Sequence, residues 1–440
     1  MKPRPALPGG PYLVVGLARS GQAAALALRA RGEEVIGVDA GAPEGTGRLR
    51  DAGVEMLVDT HGEELLDRAR TLVKSPGVPA QAPVVRAALE RGTAVIGELE
   101  LAWRLIPNEF IAVTGTNGKT TTTELIKHIH REAGLPAAVA GNVGTALASL
   151  AGAVAPETTI VCETSSFQLE DAADFAPEAA VLLNLGSDHL DRHSTVEAYH
   201  EAKLRIFARQ GSDDVAVSPS DLGVEDLGGC ARRVCFGTRP GDDVADRAGE
   251  LWWDEAPFIR AEEIRLRGSH NRRNAMAAAA VTLARGIEPD AVGGGLRSFP
   301  GLPHRLEAVA ERGGVLYVND SKATNVEAAT AGLCAFEGGV HAILGGSDKG
   351  ESFAALAAPV AERCRAVYLI GETAPDIAGA LAGSAVPVHE CGELERAVAA
   401  ARAAARPGDV VLLSPACASF DQYADYEARG EHFRALSGEG

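Results

Sequence analysis

The sequence predicts an α/β protein of three domains. These are a Rossmann-like N-terminal domain (1–99), a central P-loop ATPase-like domain on a mostly parallel sheet (100–301) and a C-terminal Rossmann-like α/β domain (302–440). Short apolar strands alternate with helical stretches along nearly the whole chain, as βαβ units on parallel sheets do. A strand runs into a glycine-bearing turn and then a helix twice, at Gly16-Leu-Ala18-Arg-Ser-Gly21 and at Gly115-Thr-Asn-Gly118-Lys119-Thr120. Polar residues gather after the strands, where open parallel sheets bind ligands.

Composition narrows the function. The 440 residues carry a net charge of −18 without a Lys/Arg-rich run, which argues against nucleic acid as a partner. No stretch has the apolar length to span a membrane, and Met1-Lys-Pro-Arg-Pro5 leads into a strand with no secretory apolar region. The seven cysteines are scattered from Cys162 to Cys417 with no C-x-x-C pair, so reduced thiols in a cytoplasmic protein are expected.

In the first unit, strands at Tyr12–Val15 and Glu34–Val38 flank a helix reaching about Arg31. The turn reads G-x-A-x-x-G, with Ala18 where a second glycine usually lets a pyrophosphate approach, and Asp39 stands where an acidic residue usually meets a ribose. Thr71–Lys74 ends in Ser75-Pro-Gly77, and Val95-Ile96 closes the unit.

In the second unit, Ile111–Thr114 feeds Gly115-Thr116-Asn117-Gly118-Lys119-Thr120-Thr121 and a helix to about Ala133. Backbone amides and a helix N-terminus there suit a phosphate, Lys119 can reach terminal phosphates, and the Thr120 hydroxyl can hold Mg²⁺. The loop is shorter than G-x-x-x-x-G-K-[ST], which would put its first glycine at Val113. Later strands end at Asn142, at Glu163 and at Asn184, with His189 just beyond, and a helix Glu197–Arg209 carries Lys203. Glu163 is the candidate second Mg²⁺ ligand, and His189 a candidate for a second ion. His128 and His130, two apart on a helix, are expected to be structural, as is Cys417. From Asp213 to Arg267 the pattern weakens, and Asp242–Asp246 with Trp252-Trp253 reads as a surface β insertion. Phe299-Pro-Gly-Leu-Pro-His-Arg305 is a hinge. The third unit places strands at Val315–Asn319, His341–Leu344, Ala366–Ile370, Val386–His389 and Val410–Leu413.

Taken in order, these motifs carry a resemblance. Thr114-Gly-Thr-Asn-Gly-Lys-Thr120, Gly141-Asn-Val-Gly144, Ser165-Ser-Phe-Gln-Leu-Glu170, Asp188-His-Leu-Asp191 and Ala202-Lys-Leu-Arg205 fall in the central region. His270-Asn271-x-x-Asn274, Leu302-Pro-His-Arg305, Asn319-Asp-Ser-Lys-Ala-Thr-Asn325 and Leu413-Ser-Pro-Ala-Cys-Ala-Ser419 follow. The set resembles the Mur ligase family over nearly the whole chain, closest to its D-glutamate-adding branch; the shorter phosphate loop is that family's own form.

The resemblance implies ATP-dependent amide synthesis through an acyl phosphate in peptidoglycan precursor assembly. The substrates implied are UDP-N-acetylmuramoyl-L-alanine and D-glutamate, and a monomer is expected. Gly115 to Thr121, with Lys119, would hold the ATP phosphates, Asn271 the adenine, and Arg305 and Asp320 the rest of ATP. Thr120 and Glu163 would hold one Mg²⁺, and His189 and Lys203 a second, with Lys203 carbamylated by CO₂ because a bare ammonium repels the ion. Lys119, His189 and Lys203 are the residues expected to act in catalysis. Leu17, Ala18, Asp39 and Ser75 would hold the UDP end, with Asn142 and His189 along the muramoyl part. Lys322, Thr324, Lys349, Ser414 and Phe420 would bind D-glutamate. Asp39-Ala40-Gly41 departs from the family pattern in lacking the usual hydroxyl and basic residue after the aspartate. A folylpolyglutamate synthase would share the chemistry but not need the Gly16–Asp39 unit. A nicotinamide-dependent oxidoreductase would leave the phosphate loop unexplained.

Overall fold

The computed structural model describes residues 2–186, 192–193 and 195–438. Two compact units emerge, one formed by the chain up to Glu263 together with Arg273–Ser298, the other by Ile264–Arg272 and the chain from Phe299 onward.

The first unit holds two sheets. In the first, β1 (Tyr12–Val15), β2 (Val35–Val38), β3 (Glu55–Leu57), β4 (Thr71–Lys74) and β5 (Ala94–Gly97) lie all parallel in the order β3-β2-β1-β4-β5. The order reverses at β1, so a crevice opens beyond the carboxyl ends of β1 and β4. β1, β2 and β4 are buried along their length, which is why they read as continuous apolar runs.

The second sheet has nine strands. These are β6 (Phe110–Thr114), β7 (Ala137–Gly141), β8 (Thr159–Glu163), β9 (Ala179–Leu182), β10 (Val215–Pro219), β11 (Arg232–Gly237), β12 (Val244–Arg247), β13 (Glu250–Trp253) and β14 (Ala256–Arg260). Their order is β14-β13-β12-β11-β10-β9-β6-β8-β7, and only the β12–β13–β14 pairings are antiparallel. The stretch expected as a surface insertion is therefore a continuation of the main sheet. Val244, Ala245 and Leu251 are buried in it, because an apolar face extends to the sheet edge. The helix expected over Glu197–Arg209 is Val196–Leu204, capped by Thr195; beyond it the amides of Ile206, Phe207 and Ala208 bond three residues back and tighten into turns.

In the second unit β15 (Glu307–Arg312), β16 (Val315–Asn319), β17 (Val340–Gly345), β18 (Cys364–Ile370), β19 (Val388–Gly392) and β20 (Val410–Leu413) form the order β15-β16-β20-β17-β18-β19. Only the β15 edge is antiparallel.

Candidate active site

β6 lies between β8 and β9, and the phosphate loop leaves its carboxyl end. Gly118, at φ 89°, precedes the Lys119–Glu132 helix, whose N-terminus has no side-chain cap. A β-carbon at Gly118 would stand 2.2 Å from Asn274 Oδ1, so the loop is seated tightly on the Ser269–Ala284 helix. Asn184, after β9, sets the loop's shape. Its Oδ1 accepts from the amides of Thr116 (2.9 Å) and Asn117 (3.0 Å), and its Nδ2 donates to the Asn117 carbonyl (3.0 Å). Lys119 Nζ donates to the carbonyls of Gly115 and Thr116, each at 2.9 Å. Thr120, in the first turn of the helix, is half-buried, and Thr121 is buried.

Lys203 lies under the same loop at 1% exposure. Its Nζ donates to the Gly115 carbonyl at 2.9 Å and sits 4.3 Å from the Tyr199 ring centre, so a carbonyl and an aromatic face both stabilise the ammonium. The Tyr199 hydroxyl meets Thr116 Oγ1 at 3.4 Å. Glu163 closes β8 in register with Val113, one strand spacing from the loop. It is 2% exposed, and its Oε1 accepts from Asn142 Nδ2 at 2.9 Å. Gly141 makes this pairing possible, since a β-carbon there would lie 2.2 Å from the Glu163 carbonyl oxygen. The structure thus gathers Gly115 to Thr121, Lys203, Glu163 and Asn142 on one sheet edge. His189 lies outside the described residues.

A cleft of about 610 Å³ opens at the carboxyl edge of the first sheet. Ala18, Asp39 and Ser75 line it. Asp39 has both oxygens engaged, accepting from the amides of Leu17 (2.6 Å) and Gly41 (2.9 Å), so it braces the two turns. Ser75 Oγ donates to the Gly16 carbonyl at 2.7 Å. Leu17 is fully buried against Gly37 and does not line the cleft; Arg19 and Ser20 do, with Thr60 and His61 from the loop after β3. Sequence reasoning missed these four; Arg19 and Ser20 lay inside the quoted turn, while the loop after β3 carried no signal.

The wall at Ser75–Val78 is tied to the central sheet. The Val78 carbonyl accepts from Lys74 Nζ (2.7 Å) and Arg192 Nη2 (3.1 Å). Lys74, fully buried, pairs with Asp171 at 2.7 Å, and Arg192 lies over the Phe167 ring. His193 stacks on that ring and bonds Ser166 Oγ at 2.9 Å.

In the second unit, the loops after the adjacent strands β16, β20 and β17 bring the other predicted residues to one edge. Lys349 Nζ reaches the Thr324 carbonyl at 3.3 Å, and Lys322 Nζ sits 3.6 Å from the Tyr426 ring centre. Phe420 is 73% exposed. Ser414 is fully buried and donates to Asp320 Oδ2 at 2.8 Å, while Asp320 Oδ1 accepts from the Leu306 amide at 3.2 Å. Burial pushes the Asp320 carboxyl up to about 7 against the lowering pull of these bonds and of Arg305. Half-buried Arg305 and buried Asn271, whose Nδ2 donates to the Arg267 carbonyl at 2.8 Å, belong to the same unit. Arg429, missed from sequence because it sits within the Tyr426–Gly438 helix rather than after a strand, donates to Ser321 Oγ and to the carbonyls of Ser321, Cys417 and Ala418. It clamps the β16 and β20 loops together, and burial draws its pKa down to about 10. Cys417 is buried with its thiol pushed up to about 11 by desolvation, the opposite of an activated nucleophile. His128 and His130 are buried, bonded to Ser298 Oγ and the Ile126 carbonyl.

Comparison with known proteins agrees with this layout. Residues 11–97 match the Mur ligase MurD-like N-terminal domain, 113–282 the Mur ligase middle domain and 304–417 the Mur ligase glutamate ligase domain. The chain is 41% identical over 445 residues to UDP-N-acetylmuramoylalanine–D-glutamate ligase of Pelotomaculum thermopropionicum, covering 96% of each chain. To the protein of that name from Salinibacter ruber it is 42% identical over 447 residues, again covering 96% of each. Among solved structures, UDP-N-acetylmuramate-alanine ligase of Thermotoga maritima shares the fold with a TM-score of 0.61 at 18% identity, over 98% of this chain and all of that one. The chain belongs to the Mur ligase family.

Proposed function

We propose that this chain is an ATP-dependent ligase that joins D-glutamate to UDP-N-acetylmuramoyl-L-alanine through an acyl phosphate, in peptidoglycan precursor assembly. The observation that carries this reading is the near-full-length identity to relatives bearing that activity in their names. In the reading, residues 1–99 hold the UDP end, 100–301 hold ATP, and 302–440 hold D-glutamate. The protein works in the cytoplasm as a monomer.

The residues at the phosphate loop fit a magnesium nucleotide. The uncapped helix N-terminus and the amides shaped by Asn184 suit phosphate oxygens. Buried Glu163 and the Thr120 hydroxyl are hard oxygen donors that would hold Mg²⁺, an ion that needs only one or two protein ligands beside water and phosphate. When bound, the magnesium nucleotide supplies the phosphoryl group that gives a carboxylate a leaving group better than oxide, and the charge that steadies the transfer. Lys119 moves from the loop carbonyls to the terminal phosphates. Asn142 and Glu163 orient each other. Lys203, once carbamylated, and His189 would hold a second Mg²⁺, which would supply charge to neutralise the substrate carboxylate. Lys322 and Lys349 are two cations for the two carboxylates of D-glutamate.

The test is phosphate release from ATP. It is expected to require both UDP-N-acetylmuramoyl-L-alanine and D-glutamate; release with folate plus L-glutamate, or with neither pair, overturns the reading. Lys203→Ala is expected to abolish turnover, with partial rescue by short carboxylates, and a fully active variant removes the carbamate from the account.

A further inference from the structure

The cleft on the first sheet has a polarity that the turn after Asp39 does not explain. Ala40 and Gly41 offer neither a hydroxyl nor a cation, yet Ala40 lines the cleft. The polar side chains that line it elsewhere are Arg19, Ser20, Thr60, His61 and Ser75, the last already committed to the Gly16 carbonyl. Arg19 and His61 are exposed, and neither they nor Ser20 make a side-chain hydrogen bond or ion pair among the described residues. Thr60 is partly committed, accepting from the Gly62 amide at 3.2 Å and donating to Glu64 at 2.9 Å.

The strand order fixes where these groups lie along the edge. His61 follows β3, Ala40 follows β2, Arg19 follows β1 and the Ser75–Val78 wall follows β4. The amides of Asp59 and Thr60 bond the carbonyls of Gly41 and Asp39, which holds the His61 loop against the β2 end. Neighbouring strands lie about 4.8 Å apart, so the β3 and β1 ends are separated by about 10 Å, the length scale of a nucleotide. The β4 side is where Lys74 and Arg192 join the cleft wall to the central sheet. A substrate that must reach the central site leaves the cleft on that side.

Resting on the function proposed above, we infer that Arg19 supplies the cation for the diphosphate and His61 contacts the nucleobase, so that the nucleotide lies across the edge with its base toward β3 and its sugar-bearing end toward β4. Arg19 thereby takes the charge role that Ala40-Gly41 cannot. A guanidinium offers paired donors to phosphate oxygens, and in a chain of net charge −18 a local cation is needed to draw an anion in.

Binding of uridine and of UDP to the full chain, followed by calorimetry and ligand-observed NMR, tests this. In Arg19→Gln, UDP affinity is expected to fall about tenfold or more while uridine affinity holds. In His61→Ala, both are expected to fall by the same factor. Both side chains are exposed, so far-UV circular dichroism should match the parent protein. UDP binding unaltered in Arg19→Gln, or a loss shared equally with uridine, overturns the assignment while leaving the ligase reading intact. A parent protein that binds no UDP overturns both.

Discussion

Asn184→Leu isolates the scaffold of the phosphate loop from its chemistry. The substitution keeps the side chain's approximate bulk and removes three hydrogen bonds of 2.9–3.0 Å to Thr116 and Asn117. At a net value of about 1 kcal/mol per bond, the ceiling is about 3 kcal/mol. Asn184 is half-buried, so water replaces part of that loss, and about 1.5–3 kcal/mol is expected. The loss falls on the conformation in which the two amides point together, so it appears chiefly in nucleotide affinity. Each 1.4 kcal/mol is tenfold, giving a drop in ATP affinity of about 10- to 100-fold. Equilibrium binding of a non-hydrolysable ATP analogue reads this directly, and UDP binding at the distant cleft serves as the internal control. Parental affinity for the analogue in a folded Asn184→Leu protein refutes the view that this side chain shapes the loop. Equal losses of analogue and UDP point to general unfolding instead, and refute it as well.

Gly21→Ala places a β-carbon 1.8 Å from the Gly16 carbonyl oxygen and 2.7 Å from Ser75 Oγ. The backbone must shift, so a stability loss of about 2–4 kcal/mol by urea unfolding and weakened UDP binding are expected; a neutral variant contradicts the packing described. Asp320 has a folded-state pKa raised to about 7, above the unfolded value near 4, so the stability tied to its neutral form is complete below about pH 4 and is lost as pH climbs through 7. Asp320→Asn does not titrate, so its stability relative to the parent is expected to improve by about 2–3 kcal/mol from pH 5 to pH 8. A gap that does not change with pH counts against a buried neutral acid at this position.

Much of the fold was legible because β1, β4 and β20 are apolar runs buried on both faces and bounded by glycine, proline or serine. β3 and β15 were not legible. They are partly exposed edge strands, β3 only three residues long, and an edge needs little hydrophobic pattern because one side faces no partner. β12 to β14 were read as an insertion because antiparallel pairing at a sheet edge leaves no signature distinguishing it from a separate hairpin. At the site, the phosphate loop and Glu163 announced themselves by position after strands. Asn184 and Arg429 did not reveal their roles, since Asn184 acts on backbone groups 67 and 68 residues away and Arg429 reaches the Ser321 carbonyl 108 residues away in sequence. Ser414 was legible as a loop residue, but its burial against Asp320 depends on β16 and β20 being neighbours, which only the topology tells.

The tie between the cleft on the first sheet and the central sheet has a consequence for how the chain can be cut. One apolar cluster runs from Tyr12, Leu17 and Leu28 through Trp103 to Phe110, Leu147, Phe175 and Phe207, without a break at the stretch joining the two sheets. Glu98, fully buried there, accepts from the Ala148 amide at 2.8 Å. Excising residues 1–99 would therefore expose an interior surface on both pieces rather than separate two modules. A gene fragment encoding either alone is expected to yield aggregates, and co-expressed fragments to recombine. Exchanging the first sheet for another would also require repacking the cluster that it shares with Phe110 and Phe175.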